Sequence, residues 1–163
     1  MYLLALAGVL LLGAQTPVDT VAVYDVVLHE IRGDHPSRPV ALSDRPWDGE
    51  PCAAPCAEPK PHSDRVLARL RSDGAVDAVC VVPEGHLNCP TEAGKLFVAL
   101  GRIRSTAPDG LETPPGGVWV RATTIMPCGS DCQVPEVVAR QYLLTRDDAG
   151  KWRIVDTKLD SVS

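Results

Sequence analysis

Apolar positions along this chain follow two patterns, a helical one near the start and an alternating one towards the end. Val21, Tyr24, Leu28 and Ile31 recur at three- and four-residue spacing with Val27 beside them, while Asp25, His29 and Arg32 fall on another side. That stripe predicts an amphipathic helix. Thr16 as N-cap, Pro17 at the first helical position and Asp19 three residues after the Thr mark its expected start. Gly33 stands where a left-handed C-cap is expected. From Gly117 to Asp156 the period changes to two. Trp119, Arg121, Thr123 and Ile125 share one face of a strand over Val118 to Met126, and Val118, Val120, Ala122 and Thr124 the other. Val137 to Arg146 and Lys151 to Leu159 predict two further strands, joined by the turn Asp147-Asp148-Ala149-Gly150, whose Gly can take a positive φ.

Between these ends the pattern is more broken. Pro39 to Ser43 reads as a short strand. The stretch from Asp44 to His62 carries Pro46, Pro51, Pro55, Pro59 and Pro61, which remove backbone donors every few residues, so it reads as a long loop. Ser63-Asp64 caps a second short helix bearing Val66, Leu67 and Leu70, with Gly74 at its stop. Asp77 to Val82 and Leu96 to Arg104 read as strands, the second interrupted at Gly101, where a bulge or bend is expected. Helices first and a strand meander after define an α+β class, with the N-terminal helix packed on a curved antiparallel sheet, long strands at the C-terminus and disulfide-pinned turns.

The length of 163 residues and 45% apolar content suit one domain with one core. Tyr2 to Ala14 is an uncharged apolar block closing on Gly13, Ala14 and Gln15, the form of a secretory h-region and cleavage site. It falls short of the roughly 20 apolar residues of a membrane span. The division is therefore a signal peptide over 1–15 and a single α+β domain over 16–163, with the Pro-rich loop at 44–62. The mature chain is expected to be secreted or periplasmic, with no stable membrane span. The Arg-over-Lys, Ala-, Pro- and Val-rich usage, with Asn88 the sole Asn, associates with a high-GC bacterial genome. Net charge is −5 and the basic residues are scattered, which excludes a phosphate-tracking nucleic-acid surface.

The six cysteines sharpen the compartment, because an even count in a short exported chain reads as a disulfide framework. The expected pairs are local: Cys52–Cys56, Cys80–Cys89 and Cys128–Cys132, one of several pairings open to six cysteines. Each closes a short loop and adds only about 2 kcal/mol from chain entropy, fixing turns rather than the fold. A zinc site of Cys52, Cys56, Cys128 and Cys132 has tolerable spacing, but it lacks the Gly-bearing knuckle sequence and leaves Cys80 and Cys89 unexplained. A dithiol redox site is disfavoured by Asp131 beside Cys132.

The helix like Thr16 to Arg32, the short second helix and the closing hairpin from Tyr142 to Val155 resemble the cone-shaped α+β layout of the NTF2-like superfamily. The Cys-hairpin followed by Gly150-Lys151-Trp152-Arg153-Ile154-Val155 is also similar to small exported bacterial proteins of unassigned function. The superfamily resemblance implies either a small enzyme or a binding module, since that fold carries both.

Catalytic signatures are missing from the sequence. His29-Glu30 invites a metalloprotease reading, but the second His of that motif would stand at position 33, which is Gly33. There is no Gly-x-Ser-x-Gly elbow and no Walker-type phosphate loop. Tyr24, Asp25, Tyr142 and Asp156 are acid–base candidates by type, and Arg102, Arg104 and Arg121 form an anion-binding patch if their strands pair in register, or a solvated face with acidic partners if they do not. Trp47 or Trp119 could supply an exposed aromatic patch. The leading expectation is a non-enzymatic binding or interaction module for a small-molecule or protein ligand, without cofactor or metal. The alternative is a small NTF2-like enzyme with a pocket between the first helix and the sheet.

Overall fold

In the computed structural model, which describes residues 18–49, 60–83, 94–108, 111–127 and 135–162, the strand over Val118–Met126 lies near the middle of a six-stranded sheet. The elements run α1 (Thr20–Asp34), β1 (Val40–Ser43), α2 (Asp64–Ser72), β2 (Ala78–Cys80), β3 (Leu96–Leu100), β4 (Val118–Met126), β5 (Glu136–Arg146) and β6 (Trp152–Val162), and the sheet order is β2-β1-β3-β4-β5-β6. The α+β class holds. The sheet is mixed rather than antiparallel, because β1 runs parallel to both β2 and β3 while β3 to β6 alternate. The cause lies in the connection: α2 carries the chain from the end of β1 back to its start, so β2 must enter in the same direction.

α1 begins at Asp19 rather than Thr16, with the Asp19 carboxylate accepting from the Ala22 N–H at 3.3 Å. It also runs past Gly33, to a C-cap at His35 whose N–H returns to the Arg32 carbonyl. Its last turn is held from outside the helix: Arg32 donates to Asp77 at 2.6 Å, and Arg140 on β5 donates to Asp34 at 2.7 Å. Val23, Tyr24, Val27, Leu28 and Ile31 are its buried stripe. α2 follows the expected pattern, with Ser63 as N-cap, Leu67 and Leu70 buried, and Gly74 in the left-handed region after its end.

Both helices pack on one face of the sheet. Their apolar stripes meet Val40, Leu42, Leu96, Val98, Leu100, Val118, Val120, Tyr142 and Leu144 in a single core. A second apolar cluster on the opposite face joins Ala41, Val82, Phe97 and Ile125 to the partly buried Trp47. β1 and β3 are thus buried on both sides, which explains their unbroken apolar runs, Val40-Ala41-Leu42 and Leu96 to Leu100. The alternation read on β4 is correct: Val118, Val120 and Ala122 enter the helical core, and Ile125 belongs to the other cluster.

The hairpin from β5 to β6 turns at the expected Asp-Asp-Ala-Gly. Asp147 accepts from the Ala149 and Lys151 N–H groups at 3.0 and 2.9 Å, and Gly150 takes φ +77°. Two strands are shorter than their sequence patterns, β2 stopping at Cys80 and β3 at Leu100. Among the described residues no helix is long and apolar enough to cross a membrane. Cys80 is disulfide-bonded; Cys89, its expected partner, the expected Cys52–Cys56 and Cys128–Cys132 pairs, and the leader lie outside the described residues.

Candidate functional site

Of the seven ligand-binding candidates Tyr24, Arg102, Arg104, Trp119, Arg121, Tyr142 and Asp156, four cluster on the face of the sheet turned away from the helices. Leu100 pairs with Ala122, and the next contact between these two chain segments is the isolated bridge of Arg104 with Trp119. Four steps on one side therefore answer three on the other, so one extra residue is inserted beside Gly101, as the Gly predicted. That insertion turns Arg102 and Arg104 towards Trp119 and Arg121, and these four, with Asp48, Pro108 and Gln141, ring a cavity of about 10 Å³. The space is no larger than one water needs.

The charges there are largely answered. Asp48 accepts from the Arg102 N–H at 2.9 Å through the same oxygen that lies 3.3 Å from the Arg104 guanidinium. Arg121, opposite Gln141 on β5, reaches across that strand to Asp160 on β6 at 2.6 Å and donates to Thr123 at 2.8 Å. Its guanidinium also lies over the Trp47 ring at 5.8 Å. Arg121 is only 11% exposed and Arg104 is 45% exposed. Trp119 is buried, with its indole N–H given to Thr113 at 2.9 Å, so it forms no exposed aromatic patch. The arginines converge, as the anion reading requires, and also carry acidic partners, as the solvated-face reading requires. Among the described residues Asp48 and Asp160 answer Arg104 and Arg121, and Arg102 makes no ion pair.

The other three candidates lie apart from this cluster. Tyr24 is 3% exposed and its hydroxyl donates to the Gly101 carbonyl at 2.9 Å; burial, reinforced by Asp48, pushes its pKa to about 12. Tyr142 is buried in the helical core, where burial raises its pKa against the pull of Arg140. Asp156 is on β6, paired with Lys158 at 3.2 Å. The helix-to-sheet space around both tyrosines holds Val27, Leu28, Leu42, Leu100 and Val120, each fully buried.

His62, at the end of the Pro-rich loop, reads as a surface histidine in the sequence and is half-buried in the structure. Its backbone N–H donates to the Asp44 carbonyl at 2.7 Å, its ring stands edge-on to Tyr24 with centroids 5.3 Å apart, and its Nε2 is buried without a partner among the described residues. Burial lowers its pKa, against the opposing effects of the Leu100 carbonyl, Asp44 and Asp48. Nothing local distinguishes it in the sequence, since a histidine after Pro61 reads as a loop residue.

The larger concavities are open grooves on the outer side of α1. One of about 760 Å³ runs between α1 and α2, flanked by Asp25, Arg65, Arg69 and Asp73. Two more, of about 390 and 450 Å³, run between α1 and the β5–β6 hairpin over Val26 and Trp152. His29 lies there with Nδ1 2.8 Å from the Asp25 carbonyl, and Gly33 one turn on supplies no second ligand. No group of metal-ligating side chains occurs among the described residues. The chain matches no protein family, no curated protein and no solved structure.

Proposed function

We propose that this protein is an exported, non-enzymatic binding module that takes an acidic group of its ligand on the face bearing Arg102, Arg104, Trp119 and Arg121. Export by the apolar leader and local disulfides over the turns belong to the same reading. The observation that carries it is the filled interior: α1 lies directly on the sheet, and the tyrosine that could have served a pocket spends its hydroxyl on Gly101. Recognition then falls to the surface. Arg121 is fixed by Asp160, Thr123 and Trp47, while Arg102 and Arg104 stay exposed at the rim. Fixed guanidiniums suit a carboxylate, because the planar donor fork loses little freedom on binding it.

Calorimetric titration of the mature protein with a short oligo-aspartate peptide tests this. Binding is expected at low ionic strength, to weaken with salt, and to be lost in the Arg102→Ala/Arg104→Ala variant with the fold intact. Equal binding by that variant, or none by the wild type, overturns the proposal.

The alternative, a small enzyme of the NTF2-like kind, draws on one observation, the His62 Nε2 beside Tyr24, without a partner among the described residues. It requires a substrate-sized space next to that ring, and the four cavities described above are lined by neither Tyr24 nor His62.

A further inference from the structure

β6 is the longer of the sheet's two edges, eleven residues against three in β2, and among the described residues nothing pairs with its outer side. An edge strand offers its free N–H and C=O groups to any strand that fits. Val155, Leu159 and Val162 on this strand are 46%, 64% and 59% exposed, half of the large exposed apolar residues described. Its register with β5 slips twice, leaving Val155 and Asp160 as extra residues, so Asp156 to Leu159 is a regular run between two bulges. In that run the Thr157 N–H donates to the Asp156 carboxylate at 2.9 Å, and the same carboxylate pairs with Lys158. Side chains of the strand itself stand in for a missing neighbour.

We propose that β6 pairs antiparallel with β6 of a second copy of this chain, about a two-fold axis through Thr157. A two-fold contact needs a surface complementary to itself. With Thr157 opposite its own copy, Asp156 faces Lys158 on both sides of the axis. Directly opposed residues share a face and lie about 4.5–5.5 Å apart, so each Lys158 can pass from its own Asp156 to that of the second copy. The bulges confine the pairing to this short run, and the two-fold closes it, so the edge is used once and does not propagate into a filament.

Sedimentation equilibrium on the wild type, Asp156→Lys, Lys158→Asp and the double exchange tests the register. The wild type is expected to dimerise. Each single reversal sets like charges opposite each other twice and is expected to weaken the dimer by about tenfold or more; the double exchange restores the complement and the dimer. Thermal melts of all four, expected to coincide at low concentration, separate loss of pairing from loss of fold. A wild type that stays monomeric throughout, or single reversals that dimerise like the wild type, overturns the proposal.

Discussion

Gly49 and Arg121 share a single volume: a Cβ on Gly49 would fall inside the Arg121 guanidinium, and Gly49 itself holds φ +82°. The Pro-rich segment thus lays bare backbone against the one arginine that ties β4 to β6. Gly49→Ala is expected to destabilise the fold by about 2 kcal/mol, from left-handed strain and displacement of Arg121 together. Urea denaturation measures it. A loss under about 0.5 kcal/mol, within the range of surface substitutions, would show that the segment does not bear on Arg121.

Leu28 tests whether the helix–sheet space is filled. Leu28→Ala should cost about 3 kcal/mol, as in a close-packed core where the walls cannot collapse. A cost below about 1 kcal/mol would reveal slack beneath α1 and favour the enzyme reading.

His62 sets an acid-side limit. Its folded pKa lies below the ordinary 6.5, so the unfolded chain binds the proton more readily. The stability linked to it is intact above pH 6.5 and is lost as pH falls below that value through the folded pKa. In His62→Gln the fall in denaturation midpoint just below pH 6.5 should flatten. An unchanged profile would mean that the ring gains water or a partner on protonation.

Tyr24 sets the alkaline limit. With its pKa at about 12 against the ordinary 10.0, the folded chain keeps the phenol proton that the unfolded chain releases, so its contribution is present below pH 10 and lost as pH rises towards 12. Tyr24→Phe should remove that dependence and cost about 1 kcal/mol by leaving the Gly101 carbonyl without its donor. Ultraviolet titration follows it directly: the wild type and Tyr24→Phe should differ by one phenol that ionises well after free tyrosine.

The helices could be read in the sequence because their burial is one-sided: the α1 stripe reports which side is covered, and Ser63, Gly74 and Gly150 mark ends through their own backbone chemistry. The strand directions could not. Whether Val40 to Ser43 lies parallel or antiparallel to Ala78 to Cys80 depends on the path of the chain through α2, and the two-sided burial of Val40 to Ser43 leaves no alternation to betray it. The C-terminal end of α1 is not legible in the sequence because Arg140 and Asp77, both distant along the chain, hold its last turn. The arginine site was half legible: residue type suggested Arg102, Arg104 and Arg121, but Asp48 and Asp160 are partners that only the fold supplies.

The most direct test of the surface-recognition account is a nitrogen-15 NMR titration of the mature protein with oligo-aspartate, read at the arginine side-chain Nε–H groups and the Trp119 indole. The account predicts shifts confined to Arg102, Arg104, Arg121 and Trp119. Shifts confined to the grooves along α1, at Val26 and Trp152, or centred on Tyr24 and His62, would contradict it.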